Sequence, residues 1–270
     1  MRLDEIGELG LLAELERRGL ATGIEHDAAE IGGLVVTQDA LVEGVHFRFD
    51  LLTWRELGYR AAAVNLSDLA ASGAEPLALI VSLALPGDIT VEQVVELYEG
   101  LAEAGVPVRG GDTTRADSVL LSVTALGRAA RVPGRAGAKP GDAIVVTGPL
   151  GASGAAFRAG RLSRPPLRLD EGRRLAAVAT AMLDISDGLS PDAGHIAERS
   201  ACRVAIDLEL VPLAPGATLD DLAFGEDYEL LAATPDPLGF AAIGRCEEGS
   251  GVVFTLRGEP VGLTGWEHFR

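Results

Sequence analysis

Apolar residues recur at helical spacing in three stretches of the first half of the chain. The first helix is predicted to end at Gly19, and its apolar positions are Ile6, Leu9, Leu12 and Leu15. Residues 54–72 carry apolar side chains with the same period and predict a second helix. Thr90, with Gln93 three residues later, is a candidate N-cap for a third helix that extends to about Ala104.

Continuous apolar runs between these helices predict buried strands. In the first half they lie at residues 33–40, 77–85 and 118–127. Residues 129–142 contain Pro, Gly and basic side chains without periodicity, which predicts a linker between two domains. We therefore expect one domain over residues 1–132 and a second over residues 133–270.

The second half also mixes both kinds of element. Strands are predicted at residues 143–147, 204–208, 228–233 and 252–256. Helices are predicted after a turn at residues 148–154, from about residue 171, and after Ser190. Because helices and strands are mixed in both halves, the predicted fold class is α/β or α+β.

The chain of 270 residues is acidic, with a formal net charge of -17. This charge disfavours nucleic acid and anionic membranes as partners, since both would be repelled. Carboxylates that bind divalent cations can still hold phosphates. No apolar run is long enough to span a membrane and the first residues lack a signal-peptide core, so the expected location is cytoplasmic. Cys202 and Cys246 form no CxxC motif and are expected to be buried core residues.

Five aspartate motifs lie near predicted strand ends or helix starts, beside Gly or Ser. They are HDAA, TQDALVEGVHF, NLSDLAASGA, GGDTT and DISDGL, which contain Asp27, Asp39, Asp68, Asp112, and the pair Asp184 and Asp187. Carboxylate oxygens are ligands that Mg²⁺ prefers. Any single aspartate fits an N-cap or a turn as well. The same setting repeated five times favours a shared magnesium site.

Two glycine-containing segments are candidates for contact with phosphate. Residues 110–114 (GGDTT) fit either a phosphate that approaches backbone N–H groups or a tight turn. Residues 148–151 (GPLG) lie between a predicted strand and a predicted helix, where an anion can bind. They lack the GK[ST] of a Walker A motif, and a plain turn is favoured there.

Other polar residues carry weaker signals. The sequence has no GxSxG motif and no Cys beside a His, so nucleophilic catalysis has little support. His46 follows Asp39 closely, but an exposed or hydrogen-bonded histidine is favoured over a ligand contact. Six arginines between residues 158 and 174 form a basic run, for which a solvated face neutralised by nearby acids is favoured.

The order of these motifs resembles the thiamine-monophosphate kinase family. HDAA, LVEGVHF, NLSDLAASGA, GGDTT, GAKPGD, VTGPLG, DISDGL, GEDYELL and a final GWEHF follow one another over nearly the whole chain. LVEGVHF, NLSDLAASGA and DISDGL are the most specific of them. The resemblance implies a PurM-like, or AIR-synthetase-like, fold with an N-terminal α/β domain, a C-terminal α+β domain and a homodimer formed through the N-terminal sheets.

The resemblance also implies a reaction. The γ-phosphoryl group of ATP would pass directly to the phosphate of thiamine monophosphate, with several Mg²⁺ ions and no phosphoenzyme. The acceptor phosphate is already largely an anion at neutral pH, so no general base is required. The N-terminal domain would bind ATP and magnesium, and a requirement for a monovalent cation stays open.

The family's functional residues carry over by position. Magnesium ligands are expected at Asp27, Thr37, Gln38, Asp39, Asp68, Asp112, Asp184 and Asp187. The expected catalytic residues are Asp112, Asp39 and Asp68. Contacts to ATP are expected at Tyr98, Gly111, Asp112, Arg135 and Ser186. Contacts to thiamine phosphate are expected at His46, Glu226 and Trp266, the last by stacking of its indole on a cationic or aromatic ring.

Three departures from the family pattern bear on this site. Glu25 and His26 stand where the family usually has Gly and Asp, and Gln38 stands where it usually has Thr. Phe224 replaces a usual Gly before GEDYE, and residues 188–226 form a short stretch. We expect these changes to bear on metal geometry and on the substrate lid, while the core carboxylates remain.

Two alternatives stay open. The first is another PurM-like ATP-dependent enzyme. A selenophosphate synthetase would need a reactive Cys near the N-terminus, and the first Cys here is Cys202. A hydrogenase maturation protein of this fold would end in a Cys-bearing tail, and residues 266–270 (WEHFR) contain no Cys. An AIR synthetase is disfavoured by LVEGVHF and by the terminal aromatic residue. The second alternative is a degenerate member that binds nucleotide or thiamine phosphate without turnover.

Overall fold

The computed structural model describes residues 2–22 and 26–266, which form two mixed sheets with their helices. The helices are α1 (Leu3–Arg17), α2 (Trp54–Ala71), α3 (Val91–Glu103), α4 (Ala152–Arg158), α5 (Leu169–Ala176) and α6 (Leu189–Ser200). The strands are β1 (Ala29–Ile31), β2 (Leu34–Val42), β3 (Glu75–Leu85), β4 (Val108–Arg115), β5 (Leu120–Arg128), β6 (Ala143–Val146), β7 (Ala181–Asp184), β8 (Arg203–Asp207), β9 (Leu230–Thr234), β10 (Ala241–Glu247), β11 (Gly251–Leu256) and β12 (Glu259–Val261). The predicted mixed α/β class is confirmed.

The first sheet has the order β1-β2-β5-β3-β4, and only its β3–β4 pair is parallel. One face packs on α2 through alternating apolar residues such as Val35, Val81 and Val123. The opposite face is accessible at positions such as Gln38 and Ser82. The period of two along each strand therefore separates a core face from an open face.

Helix α2 is buried along almost its whole length. Of its 18 residues, 15 are buried, because the helix contacts the first sheet, α3, α5 and the edge strand β7 of the second sheet. Thr53 caps it in a capping box with Glu56. The predicted Thr90–Gln93 capping box of α3 is confirmed.

The second sheet has the order β12-β11-β8-β10-β6-β9-β7, and only its β8–β11 pair is parallel. It has its own core, in which Cys202 and Cys246 are free and buried as expected. A third apolar cluster joins the two sheets, with Ala70 and Ala71 of α2 packed near Leu175 and Leu230. Residues 129–142 form neither helix nor strand, so they are compatible with a linker. The domain boundary at residue 132 stays a prediction.

The Pro- and Arg-rich loop at residues 159–168 packs back on the first core. Leu162 and Leu167 lie against that core, and the Tyr59 hydroxyl donates to the Pro165 carbonyl at 2.9 Å. Arg164 of the basic run pairs there with Glu103, while Arg168 pairs with Glu229 in the second half of the chain. The second half of the chain therefore contributes to the packing of the first.

Some elements were not predicted. Residues 110–114 (GGDTT) lie inside the edge strand β4 rather than in a turn, and the short strand β7 and the strand β10 had no clear apolar pattern. Helix α1 is interrupted at Gly7, whose φ of 67° is left-handed. No described helix combines the length and the apolar character needed to cross a membrane.

The close approach of α2 and α3 generates a test of stability. A Cβ atom at Gly58 would overlap the Leu97 carbonyl, so Gly58→Ala is expected to destabilise the protein by about 1–3 kcal/mol. Gly194, inside α6, has open space around it, so Gly194→Ala is expected to stabilise the protein by about 0.5–1 kcal/mol. Urea denaturation measures both, and equal effects of the two substitutions would contradict the packing described.

Candidate active site

Three carboxylates meet at the junction of the two sheets. Asp27, Asp68 and Asp184 each present an oxygen atom, and these oxygens all lie within 4.8 Å of one another. Asp27 precedes β1, Asp68 lies on α2, and Asp184 ends β7. Because α2 packs between both sheets, it brings residues far apart in sequence to one point.

Neutral donors hold these carboxylates in place. The Ser67 hydroxyl donates to Asp184 Oδ2 at 2.5 Å, and the Thr37 hydroxyl donates to Asp68. The Asp39 backbone N–H donates to Asn65 Oδ1 at 3.2 Å. The NLSD motif therefore supplies one clustered carboxylate and two side chains that orient its neighbours.

Burial and mutual repulsion shift the acidity of the cluster. Burial, followed by repulsion from Asp27, raises the pKa of Asp184 to about 8 and that of Asp39 to about 6. Burial raises the pKa of Asp68 well above its usual range, and the charges of Asp39, Asp184 and Asp27 add to this effect. A divalent cation would relieve both the burial cost and the repulsion, so these carboxylates fit magnesium.

Arg135 offsets part of this negative charge. Its Nε and Nη2 atoms both donate to Asp27 Oδ1, at 2.9 and 2.5 Å. Burial, the largest effect, raises the pKa of Asp27, and the Arg135 charge opposes that rise. A residue expected to contact ATP thus lies directly beside a carboxylate of the cluster.

The side chains of Gln38 and Asp112 lie apart from the cluster. Gln38 Nε2 donates to Ser122 Oγ at 3.1 Å on the open face of the first sheet. Asp112, on β4, pairs in register with Ser82, which pairs with Ser122. Strand β4 is three strands from β2, a separation of about 14 Å at usual strand spacing.

The loop after β7 brings four expected ligand residues together. The Glu226 N–H donates to the Ser186 carbonyl at 2.7 Å, and the Trp266 N–H donates to the Asp187 carbonyl at 2.9 Å. Trp266 is 55% exposed and can stack on a ligand. The loop that follows Asp184 therefore contains Ser186 and Asp187, and it is contacted by Glu226 and Trp266.

Three other expected residues lie elsewhere in the first domain. His46 Nδ1 accepts from the Val42 N–H at 3.1 Å, which agrees with a hydrogen-bonded histidine. Tyr98 is half-buried on α3 against the first core. A Cβ at Gly111 would overlap the Val81 carbonyl, so this glycine is required by strand packing. A groove of about 660 Å³ with Glu43 and Trp54 in its wall also lies in this domain, away from the cluster.

Two polar residues beside the site, Asp192 and Asp227, were not predicted. Asp192 accepts from the N–H groups of Asp187 and Gly188, both at 3.1 Å, and burial raises its pKa well above the usual range. Asp227 accepts from the N–H groups of Gly151 and Ser153 at the start of α4. Asp227 belongs to GEDYELL, and that motif was the available signal for it.

The raised pKa values predict how pH affects the metal-free protein. In the unfolded chain Asp184 titrates near 3.8, and in the folded protein its pKa is about 8. The folded state binds more protons between these values, so stability is expected to fall as pH rises from about 4 to about 8. Asp184→Asn should raise stability at pH 8 by on the order of 1–2 kcal/mol.

Thermal unfolding in a chelator, followed across pH, measures this effect. The exposed Asp117→Asn has the same change of charge and should keep the pH slope of the wild type. Magnesium should stabilise the wild type more than Asp184→Asn. A metal-free wild type that becomes more stable from pH 5 to pH 8 would contradict the raised pKa values.

Comparison with known proteins identifies the family to which the chain belongs. The model of the N-terminal domain of AIR synthase related proteins matches residues 25–129. The chain is 34% identical over 309 residues to the thiamine-monophosphate kinase of Aquifex aeolicus, covering 100% of both chains. It is 35% identical over 320 residues to that of Escherichia coli K12, covering 97% of this chain and 98% of the relative.

Solved structures agree with this similarity. The structure of AaThiL complexed with AMPPCP and TMP matches with a TM-score of 0.89 at 33% identity, covering 99% of both chains. The hydrogenase maturation protein HypE of E. coli, with a TM-score of 0.71 at 22% identity, shows a shared fold alone. The expected PurM-like fold is confirmed, and the chain belongs to the thiamine-monophosphate kinase family of enzymes.

Proposed function

We propose that the protein transfers the γ-phosphoryl group of ATP to the phosphate of thiamine monophosphate, which yields thiamine diphosphate and ADP. The observation that carries this proposal is the cluster of Asp27, Asp68 and Asp184, in which Asp184 is buried and the other two residues are partly buried. Three like charges so close together suit a reaction in which cations must join two polyanions. The related AaThiL, with AMPPCP and TMP bound, supports the choice of both substrates.

Magnesium fits the carboxylate cluster. Asp27, Asp68 and Asp184 would hold it together with Asp39, and it would supply positive charge that neutralises the phosphates. Thr37 orients Asp68 through its hydroxyl, and Asp187 lies in the loop that follows Asp184. The side chains of Gln38 and Asp112 lie on the other face of the first sheet, so the roles proposed for them concern a separate part of the ATP–magnesium complex.

The residues of the chain bind and orient the substrates rather than react with them. Arg135, beside Asp27, is placed to contact a phosphate of ATP. Glu226 and Trp266 flank the loop at Ser186 and Asp187, where they would hold the rings of thiamine monophosphate. The acceptor phosphate would then point toward Asp184. Since that phosphate is already an anion, no residue has to remove a proton from it.

The open face of the first sheet supports a homodimer. Ile80 and Thr124 lie on this face, opposite the side that packs on α2. A second copy of the chain would cover them and remove the exposed sheet face from water. We also propose a cytoplasmic location, which agrees with ATP as the phosphoryl donor.

Product formation with ATP, Mg²⁺ and thiamine monophosphate tests the proposed reaction. Chromatography should resolve thiamine diphosphate from the wild type. Asp68→Asn removes a clustered carboxylate and should lower kcat by about 100-fold or more. Asp117→Asn, an exposed change of the same kind, should keep its activity. Binding of ATP and thiamine monophosphate by the wild type without product would instead establish a degenerate binder.

The dimer proposal has a separate test. Ile80→Arg places a charge on the open sheet face and is expected to convert a dimer to a monomer in sedimentation analysis, because an unpaired buried charge is costly. Val253→Arg places the same charge on an exposed position of β11 in the second sheet and should leave the dimer intact. A wild-type chain that sediments as a monomer at micromolar concentration would refute the proposal.

A further inference from the structure

Arg60 is a charged residue in the middle of the buried helix α2. Its side chain is only 2% exposed, although an isolated charge is costly to bury. It precedes Asp68 by eight residues on the same helix, which corresponds to about 12 Å along the helix axis. The same helix therefore presents the cation of Arg60 near one end of the site and the carboxylate of Asp68 near the other end.

The guanidinium of Arg60 lies where two segments of the second domain, the loop at Ser163 and residues 226–228, meet α2. Its Nη2 atom is 2.7 Å from Glu226 Oε1, and its Nη1 atom donates to the Ser163 carbonyl at 3.0 Å. The ring of Tyr228 lies with its centroid 5.8 Å from the guanidinium carbon. Burial raises the pKa of Tyr228 well above its usual range, so this ring is neutral and Glu226 carries the balancing charge.

Glu226 is held in an unusual backbone conformation. Its φ of 56° and the φ of 53° at Tyr228 are left-handed, a region that non-glycine residues seldom adopt. The Glu226 side chain is nevertheless 25% exposed. The turn and the ion pair together keep one carboxylate oxygen on Arg60 while the carboxylate remains accessible to a ligand.

Arg60 also makes Glu226 chemically different from the clustered aspartates. The pKa of Asp39 and of Asp184 is raised by burial and by other carboxylates, which suits a metal ion. Glu226 already has a permanent cation at hydrogen-bond distance. The neutral pair that results is suited to accept a hydrogen bond from an uncharged N–H group, and it is poorly suited to bind a further cation.

We propose that Arg60 is a positioning residue for the organic end of the substrate. It holds Glu226 so that its carboxylate accepts a hydrogen bond from the amino group of the substrate's pyrimidine ring, and it keeps Glu226 from joining the magnesium ligands. This inference rests on the proposed function and adds a determinant of substrate specificity to it. Loss of Arg60 should therefore weaken the binding of thiamine monophosphate and leave the binding of ATP unchanged.

Calorimetric titration and steady-state kinetics with each substrate test the assignment. Arg60→Met should weaken thiamine monophosphate binding by about tenfold or more and raise its KM equally, while the KM of ATP changes by less than about threefold. Arg60→Lys keeps the charge and should recover part of this loss. Arg131→Met is the matched control, because Arg131 joins the linker to the Ala176 and Ala179 carbonyls and does not contact Glu226.

A double-mutant cycle separates positioning from simple stabilisation. Glu226→Ala should weaken the binding of thiamine monophosphate by a similar factor. The variant with both changes should bind thiamine monophosphate no more than about threefold more weakly than Glu226→Ala alone. Additive losses, or equal changes in both KM values as for a merely destabilised protein, would overturn the assignment. If Arg60→Met does not fold, Arg60→Gln decides, because Gln can still donate to the Ser163 carbonyl but carries no charge. An unchanged affinity of this variant for thiamine monophosphate would overturn the assignment.

Failure of the proposed reaction and failure of the proposed role of Arg60 give different results. A wild-type protein that neither binds nor phosphorylates thiamine monophosphate refutes the proposed function, and the role of Arg60 falls with it. A wild-type protein that does both, beside an Arg60→Met variant with the same affinity, refutes only the role of Arg60.

Discussion

The crowding of carboxylates at the junction of the two sheets is the constraint on which the site depends. Asp27, Asp68 and Asp184 present oxygens within 4.8 Å of one another, and Asp39 is close enough to raise the pKa of Asp68. Such an arrangement opposes folding unless protons or cations neutralise it. The neighbouring residues are consistent with this need, because hydroxyl donors hold Asp68 and Asp184 while Arg135 holds Asp27. The same repulsion that costs stability in the metal-free protein gives the site its attraction for magnesium.

Helix α2 is the element that makes this crowding possible. It packs on the first sheet, on α3 and on β7, so its small residues are as important as its charged ones. Gly58 lets α3 approach the helix backbone, and Ala70 and Ala71 let the second domain approach its last turn. Larger side chains at these positions would move Asp68 away from Asp184. The helix also separates two kinds of polar site, the metal-binding carboxylates near Asp68 and the ion pair of Arg60 with Glu226.

The sequence predicts the regular elements well wherever the pattern is strong. The helix at residues 54–72 and the capping box at Thr90 are found nearly as predicted, because apolar period and capping are local properties. Strand β4 is missed because its glycines and polar residues look like a turn, and only pairing with β3 makes it a strand. The ligand set implied by the family resemblance includes the three clustered aspartates. The separation of Asp112 from them, and the role of Arg60, depend on strand register and on contacts between distant segments.

The residues that depart from the family pattern lie at different places around the site. Gln38 alternates with Thr37 and Asp39 along β2, so its longer side chain falls on the open face, where it also accepts from the Thr124 hydroxyl at 3.3 Å. Phe224 stacks on Phe157 at 5.1 Å between ring centroids, outside the carboxylate cluster. Glu25 lies outside the described residues, and His26 lies next to Gly134, while Asp27 keeps its contact with Arg135. The substitutions that lie among the described residues thus leave the clustered carboxylates and their hydrogen-bond donors in place. A member that no longer bound a metal–nucleotide complex would be under no constraint to keep Asp27, Asp39, Asp68 and Asp184 together at a cost in stability, so the geometry favours a site that still binds one.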